Sequence, residues 1–293
     1  MNNWMENIPD SLLISEINLP GTHDSTTQFI NFKYFSRCQN KNIFEQLQMG
    51  IRFIDVRLNC DGKTLKLSHS FLNCKKDRAK KKDLLFSDVL EDCRLFLNEN
   101  PTETILMSLK REKGKSCEET FDFFYENFAK GNNLFYLKNK TPYLSEVRGK
   151  IVLFNRIGAD IENNQYTDEN TGINLSGWPY QNSKTEAYLQ KVLIPKRSGK
   201  SEDFFYLQDF FNLNPKKKWE VAVLPAIENP PQDKAIIFNF FSGNNGFSSP
   251  KRYSKILFKR FSEYQLTPMK KYGWFILDFP NEKIIRKIIL SNY

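Results

Sequence analysis

Residues Ile51-Arg52-Phe53-Ile54-Asp55-Val56-Arg57-Leu58 read as a β-strand. β-Branched and aromatic residues dominate the run, and its charges Asp55 and Arg57 stand two apart, on one face. Seven more such runs occur, at Ser15–Leu19, Thr64–Ser68, Thr104–Leu109, Ile151–Asn155, Phe204–Leu207, Ala235–Phe240 and Trp274–Leu277. Several are continuously apolar, as strands buried on both faces are. Helical patterns separate them. Leu84–Asn98 carries an apolar stripe at Leu85, Val89, Leu90, Cys93 and Leu97, and Asn100-Pro101 ends it. Cys117–Phe128, Pro250–Phe261 and Asn281–Leu290 read similarly. Strand–helix alternation implies a parallel sheet with crossover helices. Eight strands predict an α/β fold, a single irregular (β/α)8 TIM-type barrel over residues 1–293, with the irregularity in the long connection 157–203.

Composition supports this class. With 40% hydrophobic residues and 26 Phe, the chain can bury a large core and is not a disordered type. No run of 18 apolar residues is present, so no transmembrane helix is expected. The start, MNNWMENIPD, has neither the charged nor the apolar region of a signal peptide. The five cysteines are odd in number and contain no CxxC pair, and only two histidines could complete a zinc site. Together these features point to a reducing, cytoplasmic setting, the alternative being secretion with the signal already removed. The formal charge of +9 suits an anionic partner. Nucleic acid fits poorly, because the aromatics sit in apolar runs rather than among the Lys/Arg clusters.

Polar residues gather where the strands end. Strand one runs into Gly21-Thr22-His23-Asp24-Ser25, strand three ends at His69, strand four at Lys110 and strand five at Arg156. Strand six ends at Asp209 and strand eight at Asp278. Barrel enzymes build their sites at the C-terminal strand ends. Two histidines with orienting carboxylates suit displacement at phosphorus, one imidazole taking a proton and the other giving one. A guanidinium between them would stabilise the phosphate oxygens. Each residue alone has a structural reading: a satisfied histidine, an interior Asp-x-Arg ion pair, a solvated lysine. Their joint occurrence in register favours chemistry.

The segments Leu19–Ser25, Gly50–Arg57, Ser68-His69, Asn100–Lys110, Arg148–Leu153 and Gly273–Phe279 resemble the X region of phosphatidylinositol-specific phospholipases C. Similarity to the small bacterial enzymes and stand-alone X-domain proteins extends over nearly the whole chain. The resemblance implies a distorted barrel that cleaves phosphatidylinositol to diacylglycerol and inositol 1,2-cyclic phosphate. It implies His23 as general base oriented by Asp278, and His69 as general acid paired with Asp24. Arg57, held by Asp55, would bind the phosphate. Lys110, Arg156 and Asp209 match positions that contact the inositol hydroxyls. Phe211 stands where the bacterial enzymes carry a sugar-stacking Tyr. Calcium-dependent relatives have an acidic ligand at the position of Arg57, so no metal or other cofactor is expected.

The implied partner is phosphatidylinositol in an anionic membrane surface, met by a monomer with no obligate protein partner. The run 74–82 holds six cations and one anion just after His69. Lys75, Lys76, Lys80, Lys81 and Lys82 are its expected membrane contacts, with apolar help from Phe247, Phe71 and Leu72. Two rival readings stay open: a metal-dependent glycerophosphodiesterase or sphingomyelinase-like barrel, and a catalytically inactive inositide- or membrane-binding module. Chelator sensitivity separates the first from a metal-free enzyme, and a product assay separates the second.

Overall fold

The computed structural model describes residues 1–158, 165–182, 188–199, 201–244, 246 and 248–293. Its strands are β1 (Leu19–Thr22), β2 (Phe53–Cys60), β3 (Leu65–His69), β4 (Leu72–Asn73), β5 (Ile105–Gly114) and β6 (Phe135–Tyr136). They continue as β7 (Ile151–Arg156), β8 (Ile173–Asn174), β9 (Gln190–Leu193), β10 (Phe204–Gln208), β11 (Ile236–Phe240) and β12 (Trp274–Leu277). The sheet runs β6-β7-β5-β2-β1-β12-β11-β10-β9. From β7 to β10 every pairing is parallel, and β6 and β8 add short parallel stretches to β7. Phe53, Phe154, Phe238 and Trp274, from four strands, meet across the interior with ring centroids 5.0–6.3 Å apart. All four are fully buried. Aromatic residues thus fill the barrel, largely in edge-to-face contact.

This is the expected irregular TIM-type α/β barrel, with three corrections to its strands. Ser15–Leu19 is not the first strand: Ile14–Glu16 is a 3-10 turn and β1 starts at Leu19. Pro20 lies inside β1, and its carbonyl accepts a hydrogen bond from the Arg52 amide. Gly21 follows because space runs out there. A Cβ at Gly21 would lie 2.8 Å from both Phe53 Cβ and Ile276 Cδ1.

The second correction concerns Thr64–Ser68. It is not a barrel stave: β3 turns back antiparallel on β2, and β4 on β3. Asp61-Gly62, with Gly62 at φ +83°, makes the turn. The third is that the strand expected to stop at Lys110 continues to Gly114, paired with β2 past a register shift at Leu58/Asn59. Among the described residues no ladder joins β7 or β8 to β9 or β10. An irregular segment fills that seam. Leu175 N donates to Asn155 O on one side, and Gln181 O accepts from Phe211 N on the other.

The helical segments stand close to expectation, at Phe86–Glu99, Pro250–Glu263 and Glu282–Leu290. The segment from Cys117 changes from α to π geometry at Tyr125. At the N-terminal end of β2, Arg52 is fully buried. It donates to Glu103 at 2.6 and 2.8 Å and to the carbonyls of Leu47 and Ile51. Glu103 in turn accepts from Met5 N at 3.1 Å, which fastens the N-terminal segment to the barrel floor.

Candidate active site

The C-terminal strand ends enclose a cavity of about 590 Å³ lined by His23, His69, Arg57, Lys110, Arg156, Trp178, Asp209, Phe211 and Asp278, among others. Strand register assembles most of it. Arg57 on β2 is level with Lys110 on β5, which is level with Arg156 on β7, so three cations stand in one row. His23 follows β1 and Asp278 follows β12, and His23 N donates to Leu277 O at 3.1 Å. His69 arrives differently, on the β2–β3 hairpin rather than on a stave.

His23 Nδ1 lies 2.9 Å from Asp278 Oδ1, and its Nε2 is 3.4 Å from Asp24 Oδ2. His69 Nδ1 lies 2.7 Å from the Ser36 carbonyl, and its Nε2 is 3.3 Å from the same Asp24 oxygen. The Ser36 carbonyl and the Asp278 carboxylate accept, so each Nδ1 carries a proton and each Nε2 is left facing Asp24. Asp24 sits at φ +44°, a left-handed turn that aims its carboxylate between the two rings. Its other oxygen pairs with Arg57 Nε at 2.6 Å. Arg57 also meets Asp55 at 3.1 Å and Glu112 at 3.0 Å. Asp55, fully buried, is shared with Arg156 at 3.4 Å.

Charge follows from this geometry. Burial opposes the His23 imidazolium, but Asp24 and Asp278 outweigh it and raise the group above 6.5. Burial raises the Asp278 carboxyl, partly offset by His23. At Asp24 burial is overcome by Arg57 and both histidines, and its carboxyl titrates below the usual range. Asp55 is likewise held below the usual range, against burial, by Arg57 and Arg156.

All ten expected catalytic and inositol-contacting residues lie at this end of the barrel; Asp24 and Asp55 stand behind the cavity-lining groups. Phe211 is in edge contact with Tyr180, ring centroids 5.2 Å apart. The basic loop is less free than its composition suggests. Lys75 pairs with Asp83 at 2.7 Å, Lys76 with Asp88 at 2.6 Å, and Lys80 donates to Ile30 O at 2.7 Å. Lys81 and Lys82 are exposed. Phe247 lies outside the described residues. Phe71 is 73% exposed, whereas Leu72 is half-buried.

Sequence reasoning missed several groups. Glu112 bridges Arg57 and Lys110, the latter at 2.8 Å. Its spacing of two from Lys110 was the available signal, had the strand been extended. Trp178 packs under the Arg156 guanidinium, 3.6 Å from Cζ to ring centroid, and had no signal in its irregular segment. Lys218 is fully buried beneath the cavity wall. Its Nζ donates to Ser242 O at 2.6 Å, and burial pushes the ammonium down to about 8. Exposed Tyr34 and Phe35 lie on the short helix Lys33–Ser36, exposed Phe32 caps its start, and Phe35 lines the cavity.

The profile of the family "Phosphatidylinositol-specific phospholipase C, X domain" matches residues 21–157. A 1-phosphatidylinositol phosphodiesterase of Staphylococcus aureus (strain Newman) is 28% identical over 312 residues, spanning 99% of this chain and 94% of that protein. Its counterpart in Listeria monocytogenes serovar 1/2a is 26% identical over 305 residues, spanning 99% and 84%. A solved structure of the S. aureus phosphatidylinositol-specific phospholipase C superposes with a TM-score of 0.80 at 26% identity, over 100% of this chain and 97% of that one. With the motif residues gathered at one barrel mouth, residues 21–157 match the phosphatidylinositol-specific phospholipase C X domain, and the chain is similar to the bacterial enzymes along its whole length.

Proposed function

We propose that the chain is a phosphatidylinositol-specific phospholipase C that works without a metal. The observation that carries this reading is the convergence of two Nε2 atoms and Arg57 on the Asp24 carboxylate. His23 Nε2 takes the proton of the inositol 2-hydroxyl as its oxygen bonds to phosphorus. The bond from phosphorus to the glycerol oxygen breaks, and His69 gives that oxygen its proton. Diacylglycerol and inositol 1,2-cyclic phosphate leave. Arg57 holds the non-bridging oxygens, with Asp55, Asp24 and Glu112 fixing its plane. Lys110, Arg156 and Asp209 receive the inositol hydroxyls, and Phe211 covers the ring.

Cleavage of phosphatidylinositol in excess EDTA, with the cyclic phosphate read by phosphorus NMR, tests the reading directly. Full activity is expected, and strict dependence on calcium would refute it. Arg57→Lys should lose about a hundredfold in kcat/KM, because a point charge cannot replace a planar fork held by three carboxylates.

Asp278 sets the pH at which the base is ready. His23 titrates above 6.5, so activity is lost as pH falls through that raised value. Asp278→Asn removes a charge that favours the imidazolium. The acid limb of the kcat/KM profile should therefore move to lower pH while the plateau falls. An unmoved limb would count against Asp278 as the partner of His23.

Docking brings the strand-end face to an anionic bilayer. Lys75, Lys76, Lys80, Lys81 and Lys82 supply charge, on the order of 1 kcal/mol for each of the exposed Lys81 and Lys82 and less for Lys75 and Lys76, which are paired with Asp83 and Asp88. The exposed rings of Phe32, Tyr34, Phe35 and Phe71 supply apolar contact. Neutralising the five lysines should weaken binding to phosphatidylserine-containing vesicles, with a loss that shrinks as salt rises. Cleavage of a soluble short-chain substrate should be nearly unchanged. Equal vesicle sedimentation of both proteins at low salt would remove the basic loop from the docking surface.

A further inference from the structure

Beside the two histidines lies a thiol that the proposed reaction does not use. Cys38 is 1% exposed yet lines the cavity, and its Sγ is 3.9 Å from Asp24 Oδ2. Donor atoms of His23, Asp24 and Cys38 all lie within 4.8 Å of one another. His23 Nε2 at 3.4 Å and His69 Nε2 at 3.3 Å converge on the same carboxylate oxygen. Tetrahedral zinc, with nitrogen and oxygen ligands at about 2.0–2.2 Å and sulfur at about 2.3 Å, sets its donors about 3.3–3.6 Å apart. The Nε2–Oδ2 spacings of 3.3 and 3.4 Å already match that geometry, while Cys38 Sγ, at 3.9 Å from Asp24 and within 4.8 Å of the His23 donor, must draw in on binding.

The donor set also says which metals fit. A hard cation wants several oxygens. Here one oxygen of Asp24 is paired with Arg57, leaving a single carboxylate oxygen with imidazole and thiol around it. Imidazole and thiolate select zinc or cadmium.

We propose that His23, Asp24 and Cys38 form an inhibitory site for a soft divalent cation such as Zn²⁺ or Cd²⁺. On binding, the Cys38 thiol loses its proton to solvent and the sulfur bonds to the metal. The lone pair of His23 Nε2 goes to the metal, so it is withdrawn from the nucleophile. No oxidation is involved, and a chelator reverses the state.

Cadmium alone, added to the whole protein in non-chelating buffer, is the probe. The expected result is a thiolate-to-cadmium charge-transfer absorption of one equivalent, erased by EDTA and absent from Cys38→Ala but retained in Cys117→Ala. Zn²⁺ should inhibit cleavage of a soluble substrate. Its half-inhibiting concentration should rise about tenfold or more in Cys38→Ala, since even outer partners of metal-bound histidines are worth about 10–100-fold in affinity. Cys38→Ser serves equally if the alanine variant does not fold, because an alcohol is a poor ligand for either metal. An absorption that persists without Cys38, no absorption in the wild type, or an unchanged zinc response would overturn the site. The inhibition arm rests on the proposed activity and the absorption arm does not. Failure of the lipase reading would remove turnover and leave the cadmium band, whereas failure of the metal site would do the reverse.

Discussion

His23→Ala and His69→Ala should each lower phosphatidylinositol turnover by at least about a hundredfold, the scale on which positioned acid–base groups act. The two losses have different causes, and one substrate change separates them. The proposed base is His23 Nε2, because Asp278 occupies Nδ1. His69 can donate from Nε2 only while protonated, because Ser36 O already takes the Nδ1 proton. A soluble inositol phosphodiester with a nitrophenolate leaving group needs no proton on departure. On that substrate the His69→Ala deficit should shrink by an order of magnitude or more, while the His23→Ala deficit stays. Equal deficits on both substrates would reverse or dissolve the assignment, and near-normal activity in His23→Ala would refute it.

The second large effect concerns stability. Arg52 and Glu103 are both fully buried, and removing one partner leaves an uncompensated charge. Arg52→Met should cost about 3–5 kcal/mol of unfolding free energy, read from denaturant midpoints. More than the ion pair is lost, since the guanidinium also lies 4.7 Å from the Phe96 ring centroid and holds three carbonyls, those of Leu47, Ile51 and Asn2. Arg52→Met combined with Glu103→Leu should recover much of the deficit, because an apolar pair of similar volume avoids the desolvation cost. Activity of the folded fraction should be nearly unchanged in both variants. Arg52 precedes β2, whereas Asp55 and Arg57 lie further along it, toward the cavity. A single variant as stable as the wild type would show that the pair contributes little.

The barrel was legible because its staves are written as apolar runs closed by charge. Ile51–Leu58, Ile151–Asn155 and Trp274–Leu277 need no context to be read as strands, and period-two spacing alone puts Asp55 and Arg57 together. Registers between strands are a different matter. No spacing in the chain tells that Arg57, Lys110 and Arg156 stand level. The third strand went astray because β3 alternates well enough to pass for a stave, and only the Asp61-Gly62 turn betrays the hairpin. Trp178 and the Ser36 carbonyl escaped for a simpler reason. One belongs to an irregular segment and the other is backbone, and neither carries a pattern that local sequence can show.

The seam between β7 and β10 has a mechanical meaning. A fully laddered barrel is a hoop, whose girth is fixed by hydrogen bonds all the way round. Here, among the described residues, the hoop is cut, and the cut is held as a clasp by Trp178 against Phe205, Phe238 and Phe240. A clasp of stacked rings can widen without breaking a ladder bond. Arg156 stands on one jaw and Asp209 on the other, both facing the cavity. A polyol gripped by both would act as a stitch across the cut, so that the guest supplies the closure the sheet itself omits.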